Sequence, residues 1–291
     1  MPLTIAYPLD ALLMIAVPIA LGVFLSRRWQ FSWKIWWMGA ATFVLSQVGH
    51  IPFNAGLTML FNREILPTPP QSWNPLFNAI ILGLSAGLWE EGARYATYRW
   101  WAKDARTWRK GIWLGAGHGG VEAILLGAIL LINFFYLLAM RNTDLSKIVP
   151  PDQLALAQSQ VNAFWSAPWY LVLIGALERV LTQPIQIALS VLVLQVFARR
   201  RIFWLFVAIG WHALVNAGAV YIGLRTNPIT AEVTVAVASC ISLILIFLLR
   251  TPEPEPEDEI PPPPPLTLPG EVGEVNDTIE TPERLDQTRY Q

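Results

Sequence analysis

Long apolar stretches separated by short polar segments fill the first 250 residues of the chain. Seven of them approach or exceed the roughly 20 residues that a helix needs to cross a lipid bilayer. They predict transmembrane helices at about residues 7–25, 35–57, 76–98, 111–139, 164–197, 202–224 and 231–249. The fifth stretch is too long for one upright helix, so Pro168 and Pro184 predict that it begins at the membrane interface or kinks.

The composition agrees with a membrane protein and excludes an ordinary soluble domain. Of the 291 residues, 54% are hydrophobic and only 14% are charged, which leaves too little polar surface for a soluble fold of this length. The one cysteine, Cys240, lies in an apolar stretch, so no intrachain disulfide can form and the thiol is expected to pack as a small apolar group. We therefore expect an all-α polytopic membrane protein embedded in lipid, with no nucleic-acid partner.

The basic residues between the apolar stretches predict how the chain is oriented in the membrane. They concentrate in segments 27–34, 99–110 and 199–201 and at Arg250, whereas the other connecting segments contain few. Short segments rich in Lys and Arg stay in the cytosol, so this alternation predicts an N-terminus outside and a C-terminus in the cytosol. We expect a multi-pass protein of the plasma membrane in a prokaryotic cell.

The composition changes after residue 250. Residues 251–291 contain 11 acidic residues, two arginines and a run of five prolines at 261–265. Of the 20 basic and 21 acidic residues in the whole chain, 18 and 10 therefore belong to residues 1–250. Acidic, proline-rich sequence cannot bury a core, so we predict a helical membrane bundle at 1–250 and a disordered cytosolic tail at 251–291.

Glu90, Glu91 and Arg94 are conspicuous because they lie at the end of the apolar run 80–88, after Trp89. One carboxylate inside the bilayer costs about 2.5–3.5 kcal/mol on insertion scales, so an acid at such a position is a functional candidate. Arg94 follows the two glutamates by four and three residues, which is one helical turn. It can therefore hold one of the two carboxylates ionised and oriented.

Two histidines in other apolar stretches lie at the predicted depth of Glu90. A helix rises about 1.5 Å per residue, which places His118 and His212 roughly 12–15 Å from the cytosolic ends of their helices. Glu122 and Asn216 each follow one of these histidines by four residues and therefore share its helix face. We expect three helices to bring these polar side chains together in one layer.

Other polar features lie near or beyond this layer. The glycines on either side of His118 allow close helix packing and also leave room for a peptide or water. Gln47 and His50 fall in the outer half of their helix, where no ionisable neighbour is expected, so a structural role is favoured. Glu178 and Arg179 fall in the middle or outer half of theirs, where a structural ion pair is favoured, although the proline kink could bring Glu178 toward the layer.

These groups have the composition of a hydrolytic site. Glu90, buried beside the second carboxylate Glu91, can accept a proton from water, and His118, His212 and Asn216 can stabilise an oxyanion. Alternatively, Glu90, His118 and His212 could bind zinc, since two imidazoles and a carboxylate with one open position form a common catalytic zinc site. The sequence contains no HExxH motif. We favour glutamate-activated water, keep zinc as the alternative cofactor, and assign no metal ligand.

Four motifs follow one another along the second to sixth apolar stretches: Glu90-Glu91-Gly92-Ala93-Arg94-Tyr95, Gly117-His118-Gly119-Gly120-Val121-Glu122, Glu178-Arg179 and His212-Ala213-Leu214-Val215-Asn216. The ordered set resembles the YhfC family of intramembrane proteases and, more distantly, the PrsW and CPBP (CAAX protease and bacteriocin-processing) families. CPBP members usually have a phenylalanine four residues before the first histidine, where this chain has Leu114, and this favours the YhfC assignment over a CAAX-type substrate. The YhfC family is also often described as metalloproteases.

The resemblance implies that Glu90 activates water and that the histidines and Asn216 stabilise the oxyanion. We accordingly assign catalytic roles to Glu90, Glu91, His118, His212 and Asn216, and supporting roles to Arg94, Glu122, Glu178 and Arg179. The leading hypothesis is an intramembrane endopeptidase that cuts a transmembrane or membrane-associated peptide near the cytosolic face. The alternatives are a proton-coupled transporter, because intramembrane Glu and His also form proton relays, and a non-catalytic membrane scaffold.

Overall fold

The computed structural model describes residues 1–252, and every regular element in that range is helical. The predicted tail at 251–291 lies outside the described residues except for its first two positions. The α-helices are α1 Leu3–Trp29, α2 Lys34–Asn62, α3 Asn74–Ala96, α4 Trp108–Met140, α5 Pro151–Ser166, α6 Trp169–Val172, α7 Ile174–Ala198, α8 Phe203–Arg225 and α9 Pro228–Leu248. A π-helical turn at Thr97–Trp101 extends α3.

The long helices coincide with the seven apolar stretches. Five segments are long and apolar enough to cross a membrane, namely α1, α4, α6 together with α7, α8 and α9. The other two long helices, α2 and α3, have 29 and 23 residues and contain the polar positions Gln47, His50, Glu90 and Glu91. The chain is therefore an all-α polytopic membrane protein, and seven crossings remain a prediction.

The fifth stretch is interrupted near the position that its prolines predict. Pro168 directly precedes the short helix α6, and Leu173 separates α6 from α7, whereas Pro184 lies inside α7. Asp10 of α1 stabilises the start of α7, because its buried carboxylate oxygen Oδ1 accepts a hydrogen bond from the Ala176 backbone N–H at 2.7 Å. That contact satisfies one of the free N–H groups in the first turn of the helix.

The helix α5 was not predicted. Its 16 residues include Asp152 and several Gln and Asn side chains, and most of them are exposed. The segment therefore lacks both the continuous apolar run of a membrane span and a strong apolar face. Pro151 occupies its first position, where proline is well tolerated because the missing N–H would have no helical partner.

The core forms where α2, α3, α4, α7 and α8 approach one another closely. Residues 185–196 of α7 are all buried, and this helix contacts α4, α8 and α9. Gly87 lets α3 approach α8, since a Cβ at this position would lie 2.7 Å from the Ile209 carbonyl oxygen. The polar side chains of α3, α4 and α8 are thereby held inside the protein rather than facing lipid.

Candidate functional site

Glu90 of α3 lies where side chains from α4 and α8 converge. Its Oε2 atom lies 3.2 Å from His118 Nε2 and 4.0 Å from His212 Nε2. All three residues are buried, with His118 fully so. The three helices thus place one carboxylate and two imidazoles in contact, as their similar predicted depths indicated.

Glu91, the next residue, belongs to a separate ion pair. Arg94 Nη1 donates to both carboxylate oxygens of Glu91 at 2.9 and 3.0 Å, and His212 Nδ1 lies 2.7 Å from Glu91 Oε1. Glu91 and Arg94 are 0% exposed. Because successive residues of a helix point about 100° apart, Glu91 faces Arg94 and His212 while Glu90 faces both histidines.

Gln186 of α7 joins this ion pair to a second one. Arg94 Nη2 donates to Gln186 Oε1, and Gln186 Nε2 donates to Glu122 Oε2 at 2.7 Å. Glu122 Oε1 accepts from Arg179 Nη1 at 2.7 Å, and Arg179 Nη2 also donates to Glu178. All four of the predicted supporting residues therefore belong to one connected network.

A cavity of about 280 Å³ adjoins these groups. Its lining includes Glu90, Glu178, Arg179, His212 and Asn216. Asn216 is partly buried, and its carboxamide has no hydrogen-bond partner among the residues that the structure describes. A molecule bound in this cavity could touch Glu90, His212 and Asn216 at once.

Comparison with known proteins identifies the chain. Residues 13–238 match the family described as YhfC intramembrane metalloprotease. The chain is a member of the YhfC family. It is 31% identical over 232 residues to "Uncharacterized membrane protein YhfC" of Bacillus subtilis (strain 168), an alignment that covers 78% of this chain and 88% of that protein. No solved structure matches the chain.

The YhfC description supports a membrane protease in general, but it gives no support to our preference for glutamate over metal. Within residues 1–252, no group of three or more His, Cys, Asp and Glu side chains stands ready to hold a metal ion. The nearest approach is Glu90 with the two histidines. Ligand atoms around tetrahedral zinc lie about 3.3 Å apart, a spacing that His118 meets and that His212, at 4.0 Å, exceeds.

The hydrogen bonding of His212 fits a ligand that binds metal through Nε2. Glu91 Oε1 can only accept, so His212 Nδ1 must carry the proton that the 2.7 Å contact requires. In the neutral ring Nε2 then presents a lone pair toward Glu90. A histidine that binds a metal through one ring nitrogen usually donates a hydrogen bond from the other nitrogen, often to a carboxylate. The donor chemistry of the three side chains therefore fits zinc.

Gln47 and His50 lie beside Glu90, and the expectation that they have no ionisable neighbour is wrong. Gln47 Nε2 lies 3.4 Å from Glu90 Oε1, and Gln47 Oε1 lies 3.3 Å from His50 Nδ1. His50 Nε2 lies 3.2 Å from Ser85 Oγ and 2.9 Å from Asn54 Nδ2. The helix α2 extends to Asn62, five residues beyond its predicted end, so both side chains lie deeper than the sequence indicated.

Proposed function

We propose that the chain is an intramembrane endopeptidase that hydrolyses a peptide bond beside Glu90, His118 and His212. The observation that carries the proposal is the convergence of two imidazole Nε2 atoms on one oxygen of Glu90 at the wall of a cavity. A carboxylate and two imidazoles are costly to bury in a membrane bundle, which makes such a cluster a candidate functional site. Membership in the YhfC family supports the same conclusion.

Glu90 is the carboxylate best suited to take a proton from water. Arg94 is occupied by Glu91 and Gln186, and Arg179 is occupied by Glu122 and Glu178, so neither arginine contacts Glu90 among the described residues. The water oxygen adds to the peptide carbonyl carbon while its proton passes to Glu90. Glu90 then delivers that proton to the leaving nitrogen as the C–N bond breaks, so the reaction consumes one water and no other reagent.

The remaining residues of the site bind the peptide, orient the His212 ring or hold the walls of the cavity together. The Asn216 carboxamide lines the cavity and can donate to the carbonyl oxygen as negative charge develops on it. Glu91 and Arg94 fix the ring orientation and the tautomer of His212. The network of Gln186, Glu122, Arg179 and Glu178 holds the α4 and α7 walls of the cavity together, and in this role these residues do not touch the reacting atoms.

Zinc is the cofactor that we propose for this site, in place of glutamate acting alone. Glu90 Oε2, His118 and His212 would hold the ion, which would polarise the carbonyl and make water more acidic. Glu90 Oε1, on the side of Gln47, would still take the proton from that water. Nδ1 of His212 carries the proton that Glu91 accepts, so the neutral form of the ring would offer the ion a lone pair on Nε2 and would have no proton there to donate to an oxyanion, which supports this assignment. The 3.2 Å contact between His118 Nε2 and Glu90 Oε2 favours direct glutamate catalysis when it is a hydrogen bond, because Nε2 then carries a proton and cannot bind a metal ion.

The test compares the wild type with Glu90→Gln in detergent, using a pool of single-span bacterial peptides and mass spectrometry of the products. We expect products from the wild type alone, because a carboxamide cannot take the proton from water. Glu64→Gln, at an exposed turn position, is the control and should cleave like the wild type. Equal cleavage by Glu90→Gln would remove Glu90 from the reaction. No cleavage by any variant would favour the scaffold and transporter alternatives.

Metal content separates the two mechanisms without depending on activity. Zinc in the purified protein, measured by elemental mass spectrometry, should approach one ion per chain and fall in His118→Ala and His212→Ala. A chelator should then abolish cleavage, and added zinc should restore it. Wild-type protein that cleaves peptides while containing no metal would contradict the zinc assignment and return the mechanism to glutamate alone.

A further inference from the structure

A second and larger cavity lies in the other half of the bundle, at the ends of α2 and α8 and the beginning of α3. Its volume is about 570 Å³, and apolar side chains such as Phe61, Phe77 and Ile81 form much of its wall. Leu82 and Val220 line this cavity and also the 280 Å³ cavity at Glu90. The two cavities are therefore neighbours, and an extended molecule in the larger one would lie beside the cavity that Glu90 lines.

Asn54 provides an unused acceptor in the wall of the larger cavity. Its Nδ2 atom lies 2.9 Å from His50 Nε2, whereas its Oδ1 atom is buried and has no partner among the described residues. A buried acceptor without a donor is unfavourable. The wall also contains polar side chains such as Thr58, Asn62 and Asn78, but Asn54 Oδ1 accepts from none of them. The missing donor is therefore expected to come from a molecule that enters the cavity.

Asn54 is also linked to Glu90 by side-chain contacts through two other residues. His50 joins Asn54 to Gln47, and Gln47 Nε2 approaches Glu90 Oε1 at 3.4 Å. These linking residues take no part in the ion pairs of Arg94 or Arg179. A molecule that binds to Asn54 would thus be linked through His50 to Gln47, whose amide contacts the second oxygen of Glu90.

We propose that the larger cavity binds an extended segment of the peptide substrate, on one side of the bond that is cut. This rests on the proposed protease function. A backbone N–H of the segment donates to Asn54 Oδ1, and its apolar side chains lie against Phe61, Phe77 and Ile81. An unwound segment is required because the N–H groups of an intact helix are already used within the helix. A lipid acyl chain could fill the apolar wall, but it has no N–H for Asn54.

Photocrosslinking at two neighbouring positions of α3 tests this proposal. The photoreactive residue p-benzoylphenylalanine replaces Phe77, which lines the cavity, or Leu76, which is 41% exposed and does not line it. Both variants contain Glu90→Gln to prevent turnover, and the full-length protein is irradiated with the pool of single-span peptides. We expect peptide adducts at position 77 to exceed those at position 76 by about fivefold or more, as for a contact worth one hydrogen bond.

Asn54→Leu should lower the yield of peptide adduct at position 77 by about fivefold, since it removes the hydrogen bond to the peptide at nearly constant volume, together with the contact between Asn54 and His50. Adducts with lipid or with a second copy of the chain alone, or equal peptide yields at positions 76 and 77, would overturn the proposal. Failure of the protease function is distinguishable, because it appears as equal cleavage by the wild type and Glu90→Gln. Loss of cleavage in Glu90→Gln without peptide adducts at position 77 would overturn only the subsite.

Discussion

Arg94 determines why two adjacent glutamates have different environments. Its guanidinium contacts both oxygens of Glu91 and also Gln186, so its donors on Nη1 and Nη2 are directed away from Glu90. Glu91 is thereby neutralised inside the bundle and can orient His212. Glu90 remains the carboxylate whose contacts are imidazoles and one amide. The different roles of Glu90 and Glu91 therefore follow from the contacts of Arg94.

Replacing Arg94 by glutamine should therefore destabilise the protein strongly. The change leaves Glu91 as a fully buried charge without its partner, a situation that costs about 3–5 kcal/mol when one member of a buried pair is removed. Thermal unfolding in detergent should show a lower midpoint for Arg94→Gln and a nearly unchanged one for Lys103→Gln, which alters an exposed residue. The double variant Glu91→Gln/Arg94→Gln should recover at least half of the loss, because no unpaired charge remains. A double variant as unstable as Arg94→Gln would contradict this account.

Residue chemistry decided which parts of the site could be predicted. Glu90, His118 and His212 are conspicuous in a sequence because ionisable groups are rare inside membranes, and a constant rise per residue allows their depths to be compared. Gln186 carries no charge, so its position between Arg94 and Glu122 could not be found in this way, although a glutamine in an apolar run was its signal. Gln47 was placed too far out because its helix is longer than its apolar run.

At the scale of helices, backbone contacts position the histidines. Gly117 precedes His118 in α4, and a Cβ there would lie 2.0 Å from the carbonyl oxygen of Trp36 in α2. The two helices can therefore touch only while this residue is glycine. The space beside Gly119 and Gly120 is likewise occupied, by the side chains of Gln186 and Trp36. The glycines around His118 therefore serve helix packing, one of the two roles that the sequence left open.

Gly117→Ala should consequently separate α2 from α4. The added methyl group meets backbone rather than a flexible side chain, and overpacking of this kind costs about 1–3 kcal/mol. The thermal unfolding midpoint in detergent should fall by several degrees. Gly210→Ala in α8 is the matched control, since a Cβ there meets nothing within 4 Å and alanine favours helix by up to about 1 kcal/mol. Equal midpoints for the two variants would show that the α2–α4 contact does not limit stability.

At the scale of the whole molecule, the apolar pattern predicted the helical fold well and the polar segments poorly. Each of the seven apolar stretches contains a long helix, the fifth after the interruption at Leu173, because a run of apolar residues in lipid must satisfy its backbone hydrogen bonds internally. The helix α5 lies between two of these stretches and was missed, since its mixed polar sequence has no such requirement. The tail beyond residue 252 remains a prediction.

The orientation of the bundle in the membrane is the remaining prediction at this scale. The connection between α3 and α4 contains Arg99, Lys103 and Arg106, whereas the connection after α4 contains Arg141 and Lys147 beside an acidic residue. Because basic segments stay in the cytosol, we expect the first connection inside the cell and the second outside. This orientation would place the larger cavity toward the outer face and the site at Glu90 nearer the cytosolic face.

Labelling with a membrane-impermeant maleimide tests that orientation in intact cells. The lone cysteine is removed with Cys240→Ser, and a new cysteine is introduced as Thr143→Cys or Lys103→Cys, both at exposed positions. We expect labelling of Thr143→Cys in intact cells and of Lys103→Cys only after the membrane has been permeabilised, which also confirms that both thiols can react. The reverse labelling pattern would mean that the bundle has the opposite orientation in the membrane. Labelling of both thiols on one side would mean that α4 does not cross the membrane, which its 33 residues and the mean hydropathy of 2.4 over an 18-residue window argue against.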